Sequence, residues 1–341
     1  MDTDPKRAAD VVNELATVIQ EMADEIIQVK NIKVIDTVKI PENPIKPNKK
    51  MNVGAAGLFG LVLGVGLIVL LELIDHTFKK PEEVERTLGI NVIGTIPSFE
   101  GGKRGKKKAK DEKELQEQYL KNLIVHNNPK SAPAEAFREL RTNLYYSSVD
   151  REVKTVVVTS PTLGDGKTVT AVNLAITLAR SGKKVLIIDA DLRKPKVHHY
   201  FGVKSKEGLT NLLTDSKDDL KIKITEKTDI SNLHIITCGP IPPNPAEMLN
   251  SNRMKNLLEK VREEYDIIII DTPPVGQVTD AAIVAGITDG VILVLASGQT
   301  RIEMAKRAVK SLESVKARFI GTVLTKLDTE RTGYYYSYKY E

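Results

Sequence analysis

The sequence predicts an α/β protein: a mostly parallel sheet covered by helices on both faces, preceded by one apolar helix long enough to cross a bilayer. Three observations lead there. From Ser131 to about Asp328, the apolar runs KTVVVTS, KVLIIDA, LHIITCG, YDIIIID, GVILVLA and RFIGTVLT alternate with helical patterns. Strands that are apolar throughout belong to parallel sheets buried on both faces. The first run opens into a glycine loop and then a helix, VVVTSPTLGDGKTVTAVNLAITLA. Upstream, Met51 to Leu71 reads MNVGAAGLFGLVLGVGLIVLL without a charge, roughly 31 Å of helix, which matches a hydrocarbon core.

Size and composition bound the possibilities. The 341 residues allow one large domain or two ordinary ones, and 41% apolar with 28% charged residues are globular values. A net charge of +5 gives no argument for a nucleic-acid partner. Cys238 is the one cysteine beside five histidines, so the chain has no internal disulfide framework, no Cys/His metal cluster, and suits a reducing compartment.

Val11, Val12, Leu15, Ile19, Met22 and Ile26 recur at helical spacing within 9–28. IKVIDTVKIP, at 32–41, alternates like a strand, and PENPIKP leads extended into the apolar segment. Residues 1–50 thus precede a membrane helix assigned to 51–74, and that preceding length argues against a signal peptide. Gly60 and Gly64, with Ala56 one turn earlier, would permit close helix contact. Lys46, Lys49 and Lys50 lie before the segment. Lys79, Lys80, Arg86 and then KRGKKKAK at 103–110 lie after it. The richer basic side marks the C-terminal bulk as cytoplasmic and the protein as single-pass in a cell membrane. The 103–110 run suits an anionic membrane surface or a solvated linker equally. Residues 75–99, with KKPEEVERTLGINVIGTIPSF, read as a short helix and a strand; residues 100–130 read as a basic linker.

The chemistry begins at the glycine loop. Glycines let backbone N–H groups wrap an anion at a helix N-terminus, and Gly164, Asp165, Gly166, Lys167, Thr168 and Val169 stand where a nucleotide phosphate would be held. Lys167 would reach the β/γ-phosphates and Thr168 would hold Mg²⁺. Pro161 replaces the first glycine of the strict G-x-x-x-x-G-K-[ST] pattern. Asp189 and Asp191, in VLIIDADLRKP, and Asp271, in YDIIIIDTPP, close two strands at their C-terminal ends. Ligands of open α/β sheets bind at such ends, and carboxylates there complete a Mg²⁺–nucleotide site.

The loop, IIDADLRKP and IIIIDTPP resemble the three Walker-type motifs of the bacterial tyrosine kinases, the BY-kinases, on a P-loop NTPase-type fold. CGPIPPNPAEML at 238–249 is similar to an insert of that family, and EAFRELRTN carries its E-x-x-R-x-x-R pattern as Glu135, Arg138 and Arg141. PENPIKPNKKMN and LELID resemble the proline-rich segment and second membrane helix of polysaccharide co-polymerases, the chain-length determinants; the resemblance makes residues 1–50 an extracytoplasmic, membrane-proximal remnant of their large external domain, without the first membrane helix.

The resemblance implies a catalytic domain over 131–328 and an ATP-dependent tyrosine kinase using Mg²⁺. Lys167, Asp189 and Asp191 would be catalytic, with Asp189 the candidate base; Thr168, Asp191 and Asp271 would position the metal. It also implies a homo-oligomeric ring through Glu135, Arg138 and Arg141, a link to polysaccharide polymerisation and export, and a cognate tyrosine phosphatase. Residues 75–99 would activate the kinase in cis, with Phe99 beside the nucleotide. The chain has ten tyrosines, and Tyr334, Tyr335, Tyr336, Tyr338 and Tyr340 crowd its 329–341 tail. The resemblance makes them the phosphorylation cluster, modified in trans. Two rivals remain: a partitioning-type ATPase of the same fold, and a chain-length regulator with vestigial nucleotide binding.

Overall fold

A computed structural model describes residues 4–27, 35–40, 48–99, 112–147, 152–214 and 230–328. The chain divides into two compact units, residues 1–75 and 76–341. The tyrosine tail and the 103–110 basic run lie outside the described residues.

The first unit contains helices α1 (Pro5–Ile27) and α2 (Lys49–Ile74). The α1 stripe of Val11, Val12, Leu15, Ile19 and Met22 is exposed. Residues 35–40 form no strand, contrary to their alternation. Instead Asn13 Oδ1 accepts from the Val38 N–H at 3.0 Å, so a side chain supplies the hydrogen bond that a neighbouring strand would have given. Asn48 caps α2 by accepting from the Met51 N–H. None of the α2 residues is buried within the chain, and its mean hydropathy over 18 residues is 2.5; it is long and apolar enough to cross a membrane.

The second unit begins with α3 (Pro81–Leu88) and β1 (Val92–Pro97), then α4 (Glu112–Lys121), α5 (Ile124–Asn127) and α6 (Ala132–Tyr146). It continues through β2 (Thr155–Thr159), α7 (Lys167–Arg180), β3 (Val185–Asp189), α8 (Val197–Phe201), α9 (Leu209–Thr214) and β4 (Leu233–Ile236). The rest is α10 (Pro245–Leu249), α11 (Asn252–Glu264), β5 (Ile267–Asp271), α12 (Asp280–Ala285), β6 (Gly290–Ala296), α13 (Ile302–Ser314) and β7 (Phe319–Leu327). The seven strands form one sheet in the order β1-β7-β6-β2-β5-β3-β4, and every pairing is parallel. All six apolar runs read from the sequence are strands, and β2, β3, β5 and β6 are buried at every position.

Each face carries its own core. One gathers Met254, Leu257, Ala281, Ala305 and Leu312 over the sheet; the other gathers Phe137, Leu140, Leu174 and Ile176. Part of the expected linker is structured: α4 and α5 occupy 112–121 and 124–127, and Leu123 and Val125 are buried in the second core. Leu115, Tyr119 and Leu123 do recur every four residues, but the stretch is short and continues a charged, glycine-containing run, so its period is hidden in what reads as a linker.

Residues 76–99 are built into this unit. Phe78 and Val84 are fully buried in the first core, Ile93 and Ile96 lie in the second, and β1 extends the sheet beside β7. Burying a side chain such as Phe78 stabilises by about 1.5–3 kcal/mol, so the segment is held by both faces of the sheet.

Candidate active site

Strand β2 is central, and its C-terminal end feeds the loop 160–166. Gly164 and Gly166 adopt φ +88° and +98°, a region that favours glycine, which turns the loop back over the N-terminus of α7. Asp165 between them is 2% exposed. Its carboxylate accepts from the Thr162 N–H at 2.8 Å and from the hydroxyls of Thr162 and Thr300 at 2.9 Å. Its own carbonyl accepts from Thr325 Oγ1 at 2.6 Å, and Lys326 Nζ donates to the Gly164 carbonyl. The loop is therefore clamped from the β6 and β7 side before any ligand arrives.

On the opposite side, Lys167 folds onto the carboxylates. Its Nζ lies 2.9 Å from Asp191 Oδ2 and 3.5 Å from Asp271 Oδ1, and 3.3 Å from Thr168 Oγ1. Thr168 Oγ1 donates to Asp271 Oδ2 at 2.7 Å. Burial works to lower the Lys167 pKa, but Asp271 and then Asp191 outweigh it and hold the ammonium above its ordinary value. Burial pushes the Asp271 carboxyl up, against Lys167 and the Thr168 hydroxyl. The site thus joins all four residues assigned from the sequence to lysine and metal roles: Lys167, Thr168, Asp191 and Asp271.

Asp189 is wholly buried. Its Oδ2 accepts from the Lys196 and Val197 N–H groups at 3.0 Å, and its Oδ1 from the Asp191 N–H at 3.2 Å. Burial, with the Asp271 charge next, raises its pKa to about 7. A carboxylate with that affinity for protons suits a base, but its oxygens are engaged by the turn that follows β3.

The donor set fits a magnesium–nucleotide group. Asp271 Oδ1 is buried and makes no hydrogen bond; the charge facing it is the Lys167 ammonium at 3.5 Å, which phosphate could take over from the carboxylate. Among the described residues no group of three or more His, Cys, Asp or Glu side chains could hold an ion alone. Mg²⁺ commonly takes one or two carboxylates and completes its shell with waters and phosphate oxygens.

The three residues of the E-x-x-R-x-x-R pattern, and Phe99, have other partners. Glu135 and Arg138 pair with each other along α6, and Arg138 also donates to the Pro129 carbonyl. Arg141 lines a cavity of about 670 Å³ with Tyr145, Tyr146 and Lys183. Phe99 packs half-buried against the second core. Ion pairs between distant residues escaped the sequence reading; beside the site, Arg193 Nε and Nη2 grip fully buried Asp280 at 2.8 and 3.0 Å, tying the turn after Asp191 to α12. The Arg of DLRKP was visible, but its partner lies 87 residues on, in no motif.

Comparison with known proteins fits this geometry. Residues 153–324 match the family described as "AAA domain", and residues 2–73 match "G-rich domain on putative tyrosine kinase". Tyrosine-protein kinase YwqD of Bacillus subtilis is 43% identical over 204 residues, 60% of this chain and 85% of YwqD. Tyrosine-protein kinase etk of Escherichia coli K12 is 33% identical over 312 residues, 90% of this chain but 42% of etk. Among solved structures, the kinase domain of Escherichia coli ETK superposes with a TM-score of 0.65 at 33% identity, covering 77% of this chain and 99% of that domain. The chimerical protein CapA2B2 gives 0.63 at 35%, covering 72% and 99%.

Proposed function

The chain belongs to the bacterial tyrosine-protein kinase family, and we propose that it transfers the γ-phosphoryl group of ATP to tyrosine hydroxyls, first of all those of its own 334–340 cluster. The observation that carries the reading is the pairing of Lys167 and Thr168 with Asp191 and Asp271, one oxygen of Asp271 being buried with no hydrogen bond and only the Lys167 charge at 3.5 Å, in a chain with five clustered tyrosines at 334–340.

The N–H groups of 164–168 and Lys167 would bind the β- and γ-phosphates and stabilise charge on the transferring group. Lys167 would exchange its contact with Asp191 for one with phosphate. Thr168, Asp191 and Asp271 would hold Mg²⁺, some through water; when bound, the ion neutralises charge between the phosphates. Asp189 would orient the phenol and take its proton late in transfer, since a phenol pKa lies near 10. To reach it, the Lys196–Val197 turn must release Asp189 Oδ2.

The wider setting belongs to the same proposal. The α2 helix would anchor the chain once in the cell membrane, with 76–341 cytoplasmic and the 103–110 run facing anionic lipid. Phe99 would cover the nucleotide. Arg138 and Arg141 would orient a neighbouring subunit in a ring, Arg138 giving up its contact with Glu135, so that each tail enters the next site. Polysaccharide polymerisation and export would be the process regulated, with a phosphatase resetting the tail.

Lys167→Met tests the assignment. The variant should stay folded and lose phosphotyrosine at least about a thousandfold, read by mass spectrometry of the C-terminal peptide. Undiminished tail phosphorylation would remove the site from consideration. Phosphate release without tyrosine phosphorylation in the wild type would favour the partitioning-type ATPase.

A further inference from the structure

Two side chains of one turn link the 76–79 segment to the phosphate loop: Gln299, through Lys326 and the Gly164 carbonyl, and Thr300, which reaches the loop directly. Thr300 lies between β6 and α13 and is fully buried. Its hydroxyl donates to Asp165 Oδ1 at 2.9 Å and accepts from the Ala296 N–H at 2.7 Å. Its carbonyl accepts from the Phe78 N–H at 3.3 Å. The turn around it is tied to the same segment repeatedly. The Gly298 N–H donates to the Phe78 carbonyl at 2.8 Å, the Ile302 N–H donates to the His76 carbonyl at 3.0 Å, and Thr77 bridges Arg301 in antiparallel fashion. Just before His76 in the chain lies the apolar helix α2, which ends at Ile74.

We infer that Thr300 is a positioning residue through which the 76–79 segment sets the shape of the phosphate loop. The inference rests on that loop being the nucleotide site proposed above. Asp165 sits between two glycines in the left-handed region, so the loop's own backbone does little to restrict it. Its carbonyls are held by Thr325 and Lys326, and the Asp165 side chain is held by the carboxylate's donors. Thr162 supplies those within the loop, and Thr300 is the donor from outside it. A buried carboxylate oxygen that loses a donor is costly, so the Thr300 turn and the loop order each other. Backbone bonds to 76–79 fix that turn. Binding linkage is reciprocal: whatever orders the loop must also tighten the dock of 76–79.

The test uses the full-length protein in detergent, with a non-hydrolysable ATP analogue and Mg²⁺ as probe and hydrogen exchange as readout. In the wild type, saturating analogue should slow amide exchange in peptides covering 76–80 as well as in 162–168. Thr300→Val, close in shape but without donor or acceptor, should raise the analogue's Kd by about tenfold. At saturation it should protect 162–168 and no longer 76–80. Thr300→Ser should restore both. The inference is overturned by nucleotide-independent exchange at 76–80 in the wild type, a result that needs no variant to fold. Wild-type affinity in Thr300→Val, or retained protection of 76–80 in it, overturns it equally. Loss of the kinase reading would look different: analogue binding and coupled protection intact, with no phosphotyrosine formed.

Discussion

Asp271 and Asp289 sit against neighbours of the same central strand, one at each end of the sheet, and their surroundings are opposites. Asp289, at the N-terminal end of β6, has its acceptors filled. Oδ2 takes the Lys154 and Thr155 N–H groups at 2.9 and 2.8 Å and the Thr155 hydroxyl at 2.9 Å, and Oδ1 takes Arg262 Nη1 at 2.9 Å. Burial alone would raise its pKa, but the Thr155 donors and Arg262 outweigh burial and hold it below the ordinary value. Asp271, at the C-terminal end of β5, accepts from Thr168 on one oxygen, while the other has no hydrogen bond and faces Lys167 at 3.5 Å, and its pKa is raised, from burial first. A complete polar cluster locks a fold; an incomplete one holds charge in readiness for a ligand.

Three experiments can break or sharpen the contrast. The largest effect is expected for Asp271→Asn. Tyrosine phosphorylation should fall about a thousandfold, while the nucleotide-free protein melts no lower than the wild type at pH 8. A melting point several degrees lower would make Asp271 a structural residue like Asp289.

Asp289→Ala comes next. It strands the Arg262 guanidinium and two backbone N–H groups, and should cost about 3 kcal/mol of stability, read by denaturant unfolding of the 76–341 unit's transition. Turnover per folded molecule should not change. A loss of turnover with stability intact would erase the division of labour between the two ends.

The smallest effect concerns pH. Asp189, raised to about 7, binds a proton more tightly folded than unfolded, and Asp271 is shifted the same way. Their contribution is present in full below the unfolded range near 4 and is lost as pH rises towards about 7. Asp289, shifted down, behaves oppositely, and its contribution fades only below that range. His198, held down to about 4 by burial, works the other way up to its ordinary value near 6.5, so the readout is a difference: between pH 5 and 8 the nucleotide-free wild type should lose more melting temperature, or gain less, than Asp189→Asn. Identical pH dependence in the two proteins would contradict the shift assigned to Asp189.

Legibility differed along the chain for physical reasons. The central strands were plain because strands buried on both faces must be continuously apolar, and β2, β3, β5 and β6 are. Lys167, Thr168, Asp191 and Asp271 were plain because a loop, a helix start and two strand ends each leave a local pattern. The α4–α5 helices were missed because the short repeat of Leu115, Tyr119 and Leu123 follows a charged run and was read with it as linker, and the 35–40 strand was expected where Asn13 instead holds Val38.

By itself the sequence determined the identity and order of the candidate phosphate-binding groups, the apolar helix before them and the tyrosine cluster after them, because glycine freedom, apolar runs and side-chain chemistry are local. Only the tertiary structure decided which polar groups were already satisfied. Arg193 found Asp280, Arg138 turned to Glu135, Asp189 was enclosed by the Lys196–Val197 turn, and Thr300 came to stand between Phe78 and Asp165. These outcomes depend on hydrogen bonds between residues set side by side by the fold, and spacing along the chain carries no trace of such a meeting when the partners lie far apart.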